Sequence, residues 1–132
     1  MSGAQVPPCM ASPLATTLVT GPTTGARERL IAAQLVLAST AISAVLLEGL
    51  PDGQTILAPS PTILIERIAP GCLCCTGNLV LRVTLNRLLR RRPERLYIGL
   101  ATTEHLDQLR SWLKNAPYDQ LLELTPDLHS RS

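Results

Sequence analysis

The run Ala41-Ile42-Ser43-Ala44-Val45-Leu46-Leu47 carries one polar side chain in seven positions. A strand with one wet face alternates apolar and polar residues. A nearly continuous apolar run suits a parallel strand buried on both faces, with helices covering each side. The rest of the chain supplies such elements in alternation. Leu14 to Thr20 is a short apolar and β-branched run. From Ala26 to Ala38, Ile31, Leu35 and Ala38 recur at i, i+4, i+7 with Leu30 beside them, which predicts a helix. Thr62 to Ile68 and Arg95 to Leu100 read as further strands. Between them, Asn78 to Leu89 presents Leu81, Leu85, Leu88 and Leu89 as one helical stripe, stopped by Pro93. Thr103 can cap a helix running to about Leu113, with Leu106, Leu109, Trp112 and Leu113 facing inward. Gln54 to Leu57 is a short β-like run joined to Thr62 by Ala58-Pro59-Ser60-Pro61, as a hairpin or an irregular excursion. Tyr118 to Leu124 reads as a final strand. The expected fold class is α/β, a mostly parallel sheet flanked by helices. Phosphate or metal sites then belong at the carboxyl ends of the strands.

At 132 residues the chain suits one domain with a modest core, which aliphatic side chains must fill because Phe is absent. The net charge of +2 makes no global case for nucleic acid. The arginines at the end of the second helix, Arg87, Arg90, Arg91 and Arg92, read as cations complementing its dipole. Residues 1–13, with three prolines, read as a disordered leader in which Cys9 is an incidental thiol. Residues 14–125 form the expected domain, and 126–132 a polar tail. The start has no basic cluster followed by an apolar run, so it does not read as a secretory signal. No stretch approaches the ~20 apolar residues that span a bilayer. Few, clustered cysteines argue for a reducing compartment. The expectation is a cytoplasmic protein with no nucleic-acid or membrane partner.

Three of the four cysteines stand in Gly71-Cys72-Leu73-Cys74-Cys75-Thr76. Cys72 and Cys75 have the i, i+3 spacing that lets two sulfurs converge on one ion, and Cys74 lies between them. Thiolates select soft cations such as Zn²⁺ or Cu⁺. Asn78 can cap the helix that follows, and donors at a helix start favour anionic sulfur. Tetrahedral zinc wants a fourth ligand: water, His105, an acidic side chain such as Glu66, or a group from a second chain. Buried structural thiols and a redox pair are the alternative readings of the cluster.

The first strand runs into Gly21-Pro22-Thr23-Thr24-Gly25 and then a helix, the setting in which backbone N–H groups cradle phosphate. Against the pattern GxxxxGK[ST], Gly21 fits the first position and Gly25 is adjacent to the sixth. Arg27 stands in place of lysine and Glu28 in place of the magnesium-binding hydroxyl. Gly21, Gly25 and Arg27 are thus the candidate residues of a degenerate phosphate loop.

In this order, these features resemble the CobW-like branch of P-loop GTPases, relatives of the UreG and HypB metal-insertion proteins. Gly71-Cys72-Leu73-Cys74-Cys75 looks like the family's GCxCC signature. The start Leu18-Val19-Thr20-Gly21 resembles its strand entering the phosphate loop, and Ile98-Gly99-Leu100-Ala101-Thr102 the strand that normally ends in an acid and two threonines. Gly99 stands where that acid would be. No Asn-Lys-x-Asp guanine-reading motif follows, and the family's C-terminal domain has no counterpart. The resemblance therefore implies a truncated P-loop NTPase-like fold with Cys72, Cys74 and Cys75 as ligands for zinc or a similar soft metal. GTP hydrolysis is not expected, because its Mg²⁺ is held by the missing hydroxyl and acid. The implied partner is a metal-receiving client or a full-length relative, or a second copy in a homodimer. The rival readings are a nucleotide-binding GTPase with an altered loop and a non-enzymatic interaction or dimerisation fragment.

Overall fold

The computed structural model describes residues 13–37, 42–49, 57–68, 79–100, 106–115 and 118–129. Within them the chain forms β1 (Leu14–Thr20), α1 (Thr24–Leu37), β2 (Ser43–Glu48), β3 (Ile63–Ile68), α2 (Leu79–Arg90), β4 (Arg95–Leu100), α3 (Leu106–Leu113), α4 (Tyr118–Leu121), β5 (Leu122–Leu124) and β6 (Leu128–His129). The strands make one sheet in the order β3-β2-β4-β1-β5, with β6 also on β1. Every strand pairing between these elements is parallel. This is an α/β fold with helices on both faces, consistent with a P-loop NTPase-like architecture.

Period-two alternation divides the side chains between two cores. Leu18, Ala44, Leu46, Leu96, Ile98 and Leu100 face the layer built by α2, α3 and α4. Val19, Val45, Leu47 and Tyr97 face α1, where Ile31 is fully buried. The central strands therefore present apolar groups in both directions, as the run at Ala44–Leu47 demands. In α2 the inward stripe is Leu81, Thr84, Leu85 and Leu88, with Leu89 half-buried. Beyond its end Arg92 adopts the left-handed conformation (φ 54°), and Pro93 prevents continuation.

The final strand is shorter than expected. Tyr118–Leu121 is a helical turn, and only Leu122–Leu124 pairs with β1. The Tyr118 ring packs on Trp112 with centroids 4.8 Å apart, and its hydroxyl donates to Asn86 Oδ1 at 2.9 Å. These contacts tie the turn to α2 and α3 and override its β-like composition. Burial raises the Tyr118 pKa above its ordinary value, against a smaller lowering by Arg82.

The sheet also extends into the stretch read as a polar tail. Leu128 and His129 pair with Val19 and Thr20, and His129 Nδ1 lies 2.7 Å from Thr20 Oγ1. Three residue steps on β1, Thr16 to Val19, face four on the edge, Leu124 to Leu128. β5 and β6 are thus one edge strand interrupted by a single extra residue, in the manner of a β-bulge. Thr125 holds the interruption, its N–H donating to Thr16 O at 2.8 Å and its hydroxyl meeting Thr17 Oγ1 at 2.6 Å.

Before β3 the chain is irregular: Ser60 and Ile63 form one antiparallel bridge around a turn, while residues 54–56 lie outside the described residues. No helix among the described residues is long and apolar enough to cross a membrane.

The α2 stripe sets a direct contrast. Leu85 is 0% exposed and Val83 46%. Leu85→Ala is expected to cost about 2–5 kcal/mol in urea unfolding, and Val83→Ala to stay within about 0.5 kcal/mol of the parent.

Candidate functional site

The register brings the carboxyl ends of the strands together along one edge. Thr20 pairs with Leu100, Leu47 with Gly99, and Glu48 with Ile68. The chain leaves β1 toward α1 on one face and leaves β4 toward α3 on the other, while β1 and β4 are neighbours. Connections that diverge from adjacent strands open a crevice, the ordinary ligand position in such sheets.

The first wall of this edge is the Gly21–Thr24 turn. Thr23 caps α1: its Oγ1 accepts from Ala26 N at 3.0 Å, and its carbonyl accepts from Arg27 N at 3.1 Å. Gly25, the second residue of α1, is buried. Arg27 is buried too, and its guanidinium turns back into the loop. Nη1 donates to Gly21 O at 2.8 Å and Nη2 to Thr24 Oγ1 at 3.1 Å. The planar fork braces the turn from inside, a geometry that a lysine point charge cannot reproduce. The structure thus joins Gly21 and Arg27 directly, with Gly25 between them in sequence at the start of α1.

Glu28 is the most deeply buried charge in this region. Arg67, near the end of β3, meets it with two prongs: Nη1 to Oε2 at 2.9 Å and Nη2 to Oε1 at 3.4 Å. The two side chains are 1% and 22% exposed, carboxylate first. A bidentate pair of this kind offsets the desolvation of a carboxylate that would otherwise be untenable. Arg67 was not anticipated. Its sequence signal is the charged pair Glu66-Arg67 in the otherwise apolar run Ile63-Leu64-Ile65-Glu66-Arg67-Ile68, but nothing local names Glu28 as the partner of Arg67.

Two further features define the edge. Gly49 continues the ladder beyond β2, donating to Ile68 O at 2.8 Å with φ at 104°, a conformation suited to glycine. At Gly99 a Cβ would lie 3.0 Å from Leu47 Cδ2 and 3.8 Å from Ile31 Cδ1. The space beside Gly99 is therefore taken by the core under α1.

Cys72, Cys74, Cys75 and His105 lie outside the described residues. The connection carrying the cysteines leaves β3 at Ile68 and enters α2 at Leu79. Glu66 pairs with Arg87 of α2 at 3.1 Å. Among the described residues no three His, Cys, Asp or Glu side chains form a group that could hold a metal ion.

The fold and edge define a parallel α/β domain, consistent with a P-loop NTPase-like fold, in which the charges of Arg27 and Glu28 are engaged within the chain. Among curated proteins, the chain is similar to the zinc chaperone YeiR of Escherichia coli (strain K12), 37% identical over 78 residues. The match covers 58% of this chain and 23% of YeiR, so the chain spans less than a quarter of that relative's length. No protein-family model and no solved structure matches the chain.

Arg67→Ala strands the Glu28 carboxylate and is expected to cost about 3–5 kcal/mol in urea unfolding, whereas replacing both partners with leucine recovers most of that loss. Gly99→Asp forces a carboxylate against Leu47 and Ile31, so the midpoint of unfolding is expected to fall steeply.

Proposed function

We propose that this chain handles zinc or a similar soft cation as cargo, held by Cys72, Cys74 and Cys75, and that it does so without hydrolysing GTP. The observation that carries the reading is the Gly71-Cys72-Leu73-Cys74-Cys75 cluster, in a chain 37% identical over 78 residues to a zinc chaperone. The donor set fits the cargo. Three sulfurs in four positions supply soft ligands in the deprotonated form that zinc favours. A three-thiolate set leaves the fourth tetrahedral position for water or for a ligand from a receiving protein, which is what transfer needs. The partner in this reading is a metal-receiving client, a full-length relative or a second copy of the chain.

The part of the proposal that sets GTP hydrolysis aside is supported by the carboxyl edge. Arg27 is braced within its own turn, and Glu28 occupies the place of the hydroxyl that holds Mg²⁺. A carboxylate there repels phosphate oxygens, and it is already committed to Arg67. Gly99 leaves the acid position filled by Leu47. Each feature removes a part that phosphoryl transfer uses.

Protein purified without chelator is expected to carry about one zinc per chain by elemental analysis, and the triple variant Cys72→Ser, Cys74→Ser, Cys75→Ser none. Stoichiometric uptake by the triple variant would falsify the cysteine assignment. Titration calorimetry with millimolar GTP and Mg²⁺ is expected to show no binding heat; a saturable isotherm would instead favour the nucleotide-binding reading.

A further inference from the structure

We propose that the α1 face of the sheet carries a binding site for the carboxylate of a small organic acid, at the end of the strands opposite the carboxyl edge. The site is an open groove of about 320 Å³, near the lower end of the range for small-molecule pockets. It goes beyond the cargo reading and shares no residue with it.

Register builds the floor. Ala15 pairs with Arg95 and Thr17 with Tyr97, so these four side chains leave neighbouring strands on one face, toward the amino ends of β1 and β4. Gln34, in the last turn of α1, borders one side of the groove. The interruption between β5 and β6 borders the other. There Thr125 turns its hydroxyl onto Thr17 Oγ1 at 2.6 Å, and Pro126 and Leu128 continue the wall. Bulges commonly re-aim side chains in this way beside a site.

Three donors border the groove without a partner in the chain. Among the described residues the side chains of Gln34, Arg95 and Tyr97 make no hydrogen bond or ion pair. Tyr97 is 3% exposed and packs with Val19, Ile31, Val45 and Leu47. A tyrosine buried to that degree ordinarily gives its hydroxyl a partner. No sealed side-chain polar atom among the described residues lacks one. The Tyr97 hydroxyl therefore reaches solvent, and the groove is the opening that Tyr97 lines.

Charge selects the ligand. Arg95 is the one charged residue among the described residues lining the groove. One cation beside neutral donors matches a single negative charge, and the guanidinium fork fits a carboxylate with two parallel bonds. A phosphate dianion would bring a second negative charge with no counter-charge in the groove. Glu123, the other strand partner of Ala15, is exposed and outside the lining, and its carboxylate counts further against a dianion. Ala15, Pro126 and Leu128 offer apolar surface to a small hydrocarbon body.

The test is a titration of the isotopically labelled full chain with benzoate, benzamide and inorganic phosphate, followed through amide chemical shifts. Benzoate is expected to shift the amides of Thr17, Thr125 and Leu128 saturably, with a Kd of about 1–10 mM for a ligand of this size. Benzamide, which keeps the shape without the charge, and inorganic phosphate are expected to bind about tenfold more weakly or less. Arg95→Gln is expected to weaken benzoate about tenfold. Tyr97→Phe is expected to weaken it about threefold with the urea midpoint unchanged, because its hydroxyl holds nothing in the fold. Glu123→Gln is expected to bind benzoate at least as tightly as wild type. No saturable shift at these amides, equal binding of benzoate and benzamide, or an affinity indifferent to both Arg95→Gln and Tyr97→Phe would overturn the inference. Shifts centred on Arg87, Arg90 and Arg91 would overturn it too, as ordinary anion association with surface arginines. Phosphate binding as tight as that of benzoate would overturn the assignment to an organic acid.

Discussion

Burial of both faces of β1, β2 and β4 is the constraint on which the rest of the structure depends. Parallel strands covered on each side have no solvent for their side chains and pair their backbones laterally. The chain's polar business is thereby pushed to the strand ends. Because Thr20, Glu48, Ile68 and Leu100 end their strands in register, the loops that follow them leave one edge. The same burial dictates how charge behaves there. Arg27, Glu28 and Glu48 lie at a boundary where little water reaches them, and a charge in that position must find a partner or lose its ionisation. Arg27 finds the Gly21 carbonyl and Thr24 hydroxyl, and Glu28 finds Arg67.

What could be read from the sequence tracks how local the deciding interactions are. β1 and β4 occupy the expected residues because their apolar runs are bounded by Gly21 and Pro93. α2 is shifted by only one residue at each end, since its leucine spacing and the following proline act within a few positions. The helical turn at Tyr118 was hidden because Trp112 and Asn86 decide it from other elements. β6 was hidden for a related reason. Leu128 and His129 have no strand pattern of their own and are held by β1 through register and the Thr20 hydroxyl. At the candidate site, the odd residues of the turn were visible as Arg27 and Glu28, but their partners were not. An ion pair across 39 positions leaves no periodic trace. The cysteine cluster is the opposite case: it is legible in the sequence and falls outside the described residues.

Internal pairing sets the Gly21–Thr24 turn apart from an anion-binding loop. Such a loop binds anions by holding N–H groups and a cation in readiness, so that the ligand supplies the missing acceptors. Here acceptors from the chain already engage the cation: the Gly21 carbonyl and Thr24 hydroxyl meet Arg27, and Thr23 Oγ1 meets the Ala26 N–H. Glu28 adds a negative charge one residue beyond. An incoming phosphate must displace these bonds and approach a carboxylate in a medium of low dielectric, where both penalties grow.

Sulfur chemistry is indifferent to most of that. A thiolate trio grips a soft cation by ligand type and geometry, and its affinity owes little to free N–H donors. Arg67 belongs to the charge pairing at the edge and also to the strand that leads into the cysteines. Arg67 links the buried carboxylate to the end of β3. In a sheet whose edge strand is only half-buried, that link is the strongest side-chain constraint near the end of β3 among the described residues. A buried turn can therefore carry charges at the edge of a parallel sheet, provided that those charges satisfy each other or the backbone around them.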